Sequence, residues 1–214
     1  INSLSTSLDY AKKLIRTNFE TKELTLDLGN CGLTSLYDIK ELFKNTHIKK
    51  LIISNEWGEY LNGAWVRKTS SNKLDSNVFF SFPPELANLK NLEVFISGGN
   101  WKNSYRSTRS FISNWHITDI KPLSNLKNLT ILNISNNEIS AMGSLSRLSN
   151  LTKLYLNNNN ISRFSVINKF PNIKELYLSN NKIKNLNFLS AASHIQTIDV
   201  HSHPRVARSQ LQTF

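Results

Sequence analysis

The chain has 214 residues, 39% of them hydrophobic, enough for one domain that buries a core. A single cysteine excludes internal disulfides, and no apolar run reaches the length of a membrane-spanning helix. The net charge is +11, and beyond residue 108 the only acids are Asp119, Glu138, Glu175 and Asp199, so the basic surplus is concentrated in the C-terminal half without forming a dense run.

In chain order, the first predicted element is an amphipathic helix from Ser7 to Arg16. Ser7 is the expected N-cap, and Leu8, Ala11, Leu14 and Ile15 share one face. Leu26, Leu28, Cys31 and Leu33 then form a first strand-and-bend unit, which places Cys31 at a buried bend and argues against a reactive thiol. A second unit starts at Ile48, with Leu51 and Ile53, and a third at Leu92, with Phe95 and with Asn100 expected at the bend. Both run longer than the later units, so insertions are expected near 56–78 and 101–116.

From Leu129 the pattern is regular. Copies begin at Leu129, Leu151, Ile173 and Ile195, a constant period of 22 residues. The first three superpose without a gap on L-x-x-L-x-L-x-x-N-x-L. Leu132 and Ile134 alternate with Ile131 and Asn133, the period of two that turns one face of a short strand inward. Asn137, Asn159 and Asn181 recur at the bend, where a buried amide supplies both a donor and an acceptor to turn backbone. After Val200 the pattern dissolves into a polar tail, 204–214, so the C-terminal end of the core is expected to lack a strong cap and the chain to continue into further sequence.

The signature resembles that of leucine-rich-repeat proteins, in particular the short-repeat bacterial, SDS22-like class, a broad group that includes the internalins. The stretch Leu14–Arg16 with Leu26–Leu33 also looks like repeat proteins found beside Roco-type GTPase modules, although no G-x-x-x-x-G-K-[ST] loop occurs. The resemblance implies an α/β fold. The expected form is a single domain, 1–214: a right-handed leucine-rich-repeat solenoid with a parallel β-sheet on its concave face. Residues 1–20 are its helical cap and 21–203 its repeats and two insertions. It further implies protein–protein recognition in place of catalysis, while fold alone leaves function open.

Two places suit partner binding. On the concave sheet, Ile131, Asn133, Lys153, Tyr155, Asn157, Lys174, Glu175 and Tyr177 lie between core positions, and parallel stacking makes Tyr155 and Tyr177 neighbours. The competing reading is a solvated sheet with mutual tyrosine packing. The insertions hold all four tryptophans, Trp57, Trp65, Trp101 and Trp115, together with Tyr60 and Tyr105, residue types that dominate binding hot spots. They either build a lip beside the concave face or pack the loops onto the solenoid.

No cofactor is expected. His194, Asp199, His201 and His203 lack the further ligands of a tetrahedral metal site, and no nucleophile elbow or acid/base pair appears. The sequons at Asn128, Asn133, Asn150 and Asn160 arise because the repeat itself spells them. A protein partner in a cytoplasmic setting is the leading expectation, with export left open. Two alternatives stand beside it: the scaffold portion of a larger signalling enzyme, and binding to nucleic acid or another anionic surface through the basic C-terminal half.

Overall fold

The computed structural model describes residues 2–100 and 115–201. Helix α1 (Asn2–Thr21) is followed by short strands β1 (Thr25–Asp27), β2 (Lys50–Ile52), β5 (Val94–Ile96), β6 (Ile131–Asn133), β7 (Lys153–Tyr155), β8 (Glu175–Tyr177) and β9 (Thr197–Asp199). These form one parallel seven-stranded sheet in the order β1-β2-β5-β6-β7-β8-β9. Strands β3 (Glu56–Leu61) and β4 (Ala64–Thr69) form a separate antiparallel hairpin. Short 3-10 turns such as Gly143–Arg147 return the chain to the next strand, as the brief spacers require.

Parallel register stacks equivalent leucines. Leu51, Phe95, Leu132, Leu154 and Leu176 pair in succession and are all fully buried. No unit could bury this face alone, so the core is one continuous column shared between neighbours. Two rows of asparagine hold the repeats together. In the buried row, Asn159 Oδ1 accepts from the Ile139 N–H at 2.9 Å, while its Nδ2 donates to the carbonyls of Ile134 and Leu156, each at 3.0 Å. Asn181 repeats the arrangement one unit on. The residues just before them, Asn136, Asn158 and Asn180, adopt positive φ of 54° to 56°, a left-handed bend that asparagine tolerates. In the exposed row, Asn91, Asn128, Asn150 and Asn172 each donate to a carbonyl of the preceding repeat. The sequons at Asn128 and Asn150 are therefore a product of repeat stitching, and Asn133 is buried.

Several sequence expectations change. The helix is longer than Ser7–Arg16, and Ser7 lies within it, buried beside Gly32, so it is no N-cap. The extra length is used by Asn18, whose Nδ2 donates to the Glu23 and Thr25 carbonyls and whose Oδ1 accepts from Asn45, tying the cap to β1. The insertions are also narrower than expected. Asn77 occupies the buried row of the second unit: its Oδ1 accepts from Cys31 and Leu33, and its Nδ2 donates to Leu28 and Ile53. In the third unit the place expected for Asn100 is taken by Trp115. The following His116 N–H donates to Phe79 as Glu138 N–H donates to Ile117, which fixes the register. Cys31 is fully buried, and desolvation, with Asp27 nearby, pushes its thiol up to about 12, so it stays protonated.

Replacing Asn159 by Ala strands one amide and several carbonyls in the core. It should lower unfolding free energy by about 3 kcal/mol in urea titrations, whereas Asn150→Ala, at the solvated flank, should cost less than about 1 kcal/mol.

Candidate functional site

The hairpin follows from a short sequence signal. Asn62 and Gly63 both take positive φ, 52° and 79°, between the paired residues Leu61 and Ala64. This is the two-residue turn whose twist matches the flanking strands. The cross-strand ion pairs Glu56–Arg67 and Glu59–Lys68 stiffen the ribbon. Burial tends to raise the Glu59 carboxyl, but Lys68 and the Trp57 indole N–H outweigh it and hold the group below its usual range. Gly58 leaves room for the Trp65 ring, since a Cβ there would come within 1.7 Å of it.

The ribbon is anchored at its root. Ser70 N–H donates to the Asn55 carbonyl, Ser70 Oγ donates to Asp27 and Gly29, and Asn72 Nδ2 donates to Asp27 and Gly29. From there it crosses the concave sheet. Four strand spacings separate β2 from β8, about 19 Å, and the six residues of β3 span about 20 Å when extended. Strand β3 lies toward the sheet and β4 is largely exposed, so the ribbon stands on its β3 edge.

Two places on the sheet receive it. Trp57 packs on Ile52, Ile96 and Val94. Tyr60 stacks on Tyr177 with centroids 4.9 Å apart and planes 2° from parallel, while Tyr177 stacks on Tyr155 at 4.5 Å and 10°. Two rings cannot share one face of Tyr177, so Tyr60 lies opposite Tyr155 and extends the stack to three. The Tyr177 hydroxyl donates to Glu175, itself paired with Lys153 at 2.8 Å. Trp65 packs edge-on against Tyr60 at 5.0 Å.

The structure thus brings together Trp57, Tyr60, Trp65, Lys153, Tyr155, Glu175 and Tyr177. Tyr155 and Tyr177 are only 2% and 1% exposed, and Asn133 and Asn157 are buried. Ile131 is half-buried, and Lys174 is exposed ahead of β8, apart from the tyrosine stack. Trp115 differs from the expected lip. It is fully buried, edge-on to Phe79 at 4.8 Å, and its indole N–H donates to the Asn77 carbonyl, because it fills a vacancy in the asparagine row. Trp101 and Tyr105 lie outside the described residues. Among the described residues, no group of three or more His, Cys, Asp and Glu is placed to hold a metal ion, and no helix is long and apolar enough to cross a membrane.

Two measurements follow. Burial, then Glu175, pushes the Tyr155 hydroxyl up to about 12, and burial with the Glu175 hydrogen bond raises Tyr177 further. Both groups favour their neutral form in the fold, so their contribution is intact below the unfolded value near 10 and is lost as pH climbs through the folded value. Stability should fall between pH 10 and 12, and less so in Tyr155→Phe/Tyr177→Phe, as read by denaturant titration. Trp115→Ala should cost about 3–5 kcal/mol and Trp65→Ala about 1 kcal/mol, although the sequence placed both in insertions.

Comparisons with known proteins agree with this architecture. A family profile for leucine-rich repeats, in two copies, matches residues 149–191. No curated protein sequence matches the chain. Among solved structures, an internalin C2 from Listeria monocytogenes is 21% identical, with 93% of this chain and 92% of that chain covered and a TM-score of 0.51. A second internalin from the same organism is 23% identical with a TM-score of 0.50; 92% of this chain is covered but only 58% of that one. Identities this low speak for the fold alone. The chain is a leucine-rich-repeat solenoid of the α/β class, with a parallel sheet lining its concave face.

Proposed function

We propose that the chain is a non-catalytic protein-binding module that recognises a partner through the hairpin and the concave sheet beside it. The observation that carries this reading is the crest of the ribbon. Leu61 at the end of β3 and Trp65 and Val66 on β4 are 42%, 41% and 37% exposed on a hairpin braced by two ion pairs and anchored at its root. Large apolar side chains presented in solvent on a preorganised element, with Arg67 beside them, have the composition of an interface centre. Little ordering entropy remains to be lost on association, because the fold has already ordered them.

The experiment is affinity capture with the immobilised chain, comparing wild type with Trp65→Ala/Val66→Ser. Recovery of the specific partner should fall about tenfold or more, since central apolar anchors are each worth about 1–2 kcal/mol. Unchanged recovery removes the crest from the interface. Capture that collapses with a steep logarithmic dependence on salt points instead to an anionic ligand on the basic C-terminal half.

A further inference from the structure

The concave face already holds a ligand of a kind: a segment of its own chain. Strand β3 lies across the sheet in extended conformation and touches it at two chemically distinct places. One is an aliphatic floor of Ile52, Val94 and Ile96, which takes the Trp57 indole. The other is the ring pair Tyr155–Tyr177, which takes Tyr60 by parallel stacking. A twisted ribbon standing on edge lets Trp57 and Tyr60, three residues apart on opposite faces of β3, both reach the sheet.

Strand β3 pairs with β4 and, among the described residues, forms no ladder with the seven-stranded sheet, whose strands run across it. Beyond the root, the described contacts of β3 with the sheet include the burial of Trp57 and the stacking of Tyr60 on Tyr177. The root bonds of Ser70 and Asn72 are separate from these, so the ribbon can lift from the sheet with its base still anchored.

We propose that the concave face is a groove for an extended peptide segment of a partner protein carrying two aromatic side chains three residues apart, and that the β3–β4 hairpin is a strap that occupies this groove until displaced. The inference rests on the protein-binding reading and names the chemistry of its partner. Binding then requires the open state, so the apparent affinity of the incoming segment is weakened by the fraction of molecules whose strap is lifted. Removing Trp57 and Tyr60 from the strap relieves that competition and leaves the floor and the tyrosine pair intact.

The test uses the full chain and a labelled synthetic peptide with the sequence of residues 56–61, read by fluorescence anisotropy. Trp57→Ala/Tyr60→Ala should bind the peptide about tenfold or more tightly than wild type does. A peptide with alanine in place of both aromatics should bind neither protein. Equal affinity for wild type and variant, or no binding to a variant whose circular dichroism and melting temperature match wild type, overturns the groove. Amide hydrogen exchange on the unaltered chain supplies a second reading. Amides of residues 56–69 should exchange at least tenfold faster than those of β6 and β7, and equal protection overturns the strap. A partner captured through the crest while the peptide fails defeats this inference alone. Peptide binding without any crest dependence defeats the crest reading alone.

Discussion

A bend that cannot satisfy its own backbone is the constraint on which the rest of this molecule depends. Each strand of the seven-stranded sheet is only three residues long, and after β1, β6, β7 and β8 the chain turns through a left-handed asparagine toward the flank. The carbonyls and amides at that turn are buried between repeats, beyond the reach of the sheet ladder. A side-chain amide has the donors and the acceptor such a site needs, and Asn77, Asn137, Asn159 and Asn181 supply them. Because every one of these residues bonds both within its unit and to a neighbour, stacking the repeats and satisfying the bends are one event. Cys31 opens the row as a buried thiol that donates weakly to the Gly29 carbonyl and stays protonated.

The same constraint governs where extra sequence can enter. The first insertion leaves the chain after Asn55, one residue past Ser54, and the repeat resumes at Asn77, in the buried row. The ladder therefore closes around the insertion, and the twenty-one residues 56–76 are extruded at the rim of the concave face without breaking the core. At the third unit an indole stands in for the amide. Trp115 has a donor but no acceptor, so in place of the row's paired bonds to the strand-end carbonyls it donates to the Asn77 carbonyl and fills the remaining volume against Phe79. Extrusion at that rim is what delivers a ribbon onto the sheet, where Tyr60 meets rings that the repeat had already stacked.

Legibility in the sequence follows from how local each cause is. The repeat, its strand positions and the asparagine bends were readable because each is a short pattern recurring at a constant period. The tyrosine neighbours were readable too, since parallel register places residues 22 apart side by side. The hairpin too has a local signal, Asn62-Gly63 between the six-residue runs Glu56–Leu61 and Ala64–Thr69. Ser7 misled because a polar residue before an apolar face has the look of a cap, yet the helix continues upstream and buries it.

By itself the sequence determined the solenoid, its shared core and the row of side chains along the concave sheet, because a periodic pattern acts through neighbours a fixed distance apart. Only the tertiary structure decided what lies on that row. The pairing of Tyr60 with Tyr177 joins residues 117 positions apart through a twisting ribbon, and no period links them. The fates of the tryptophans were decided in the same way. Trp115 is swallowed by the core, Trp57 is pressed onto the sheet and Trp65 is lifted to the crest, since side-chain direction at an insertion depends on which surface the extruded chain happens to meet.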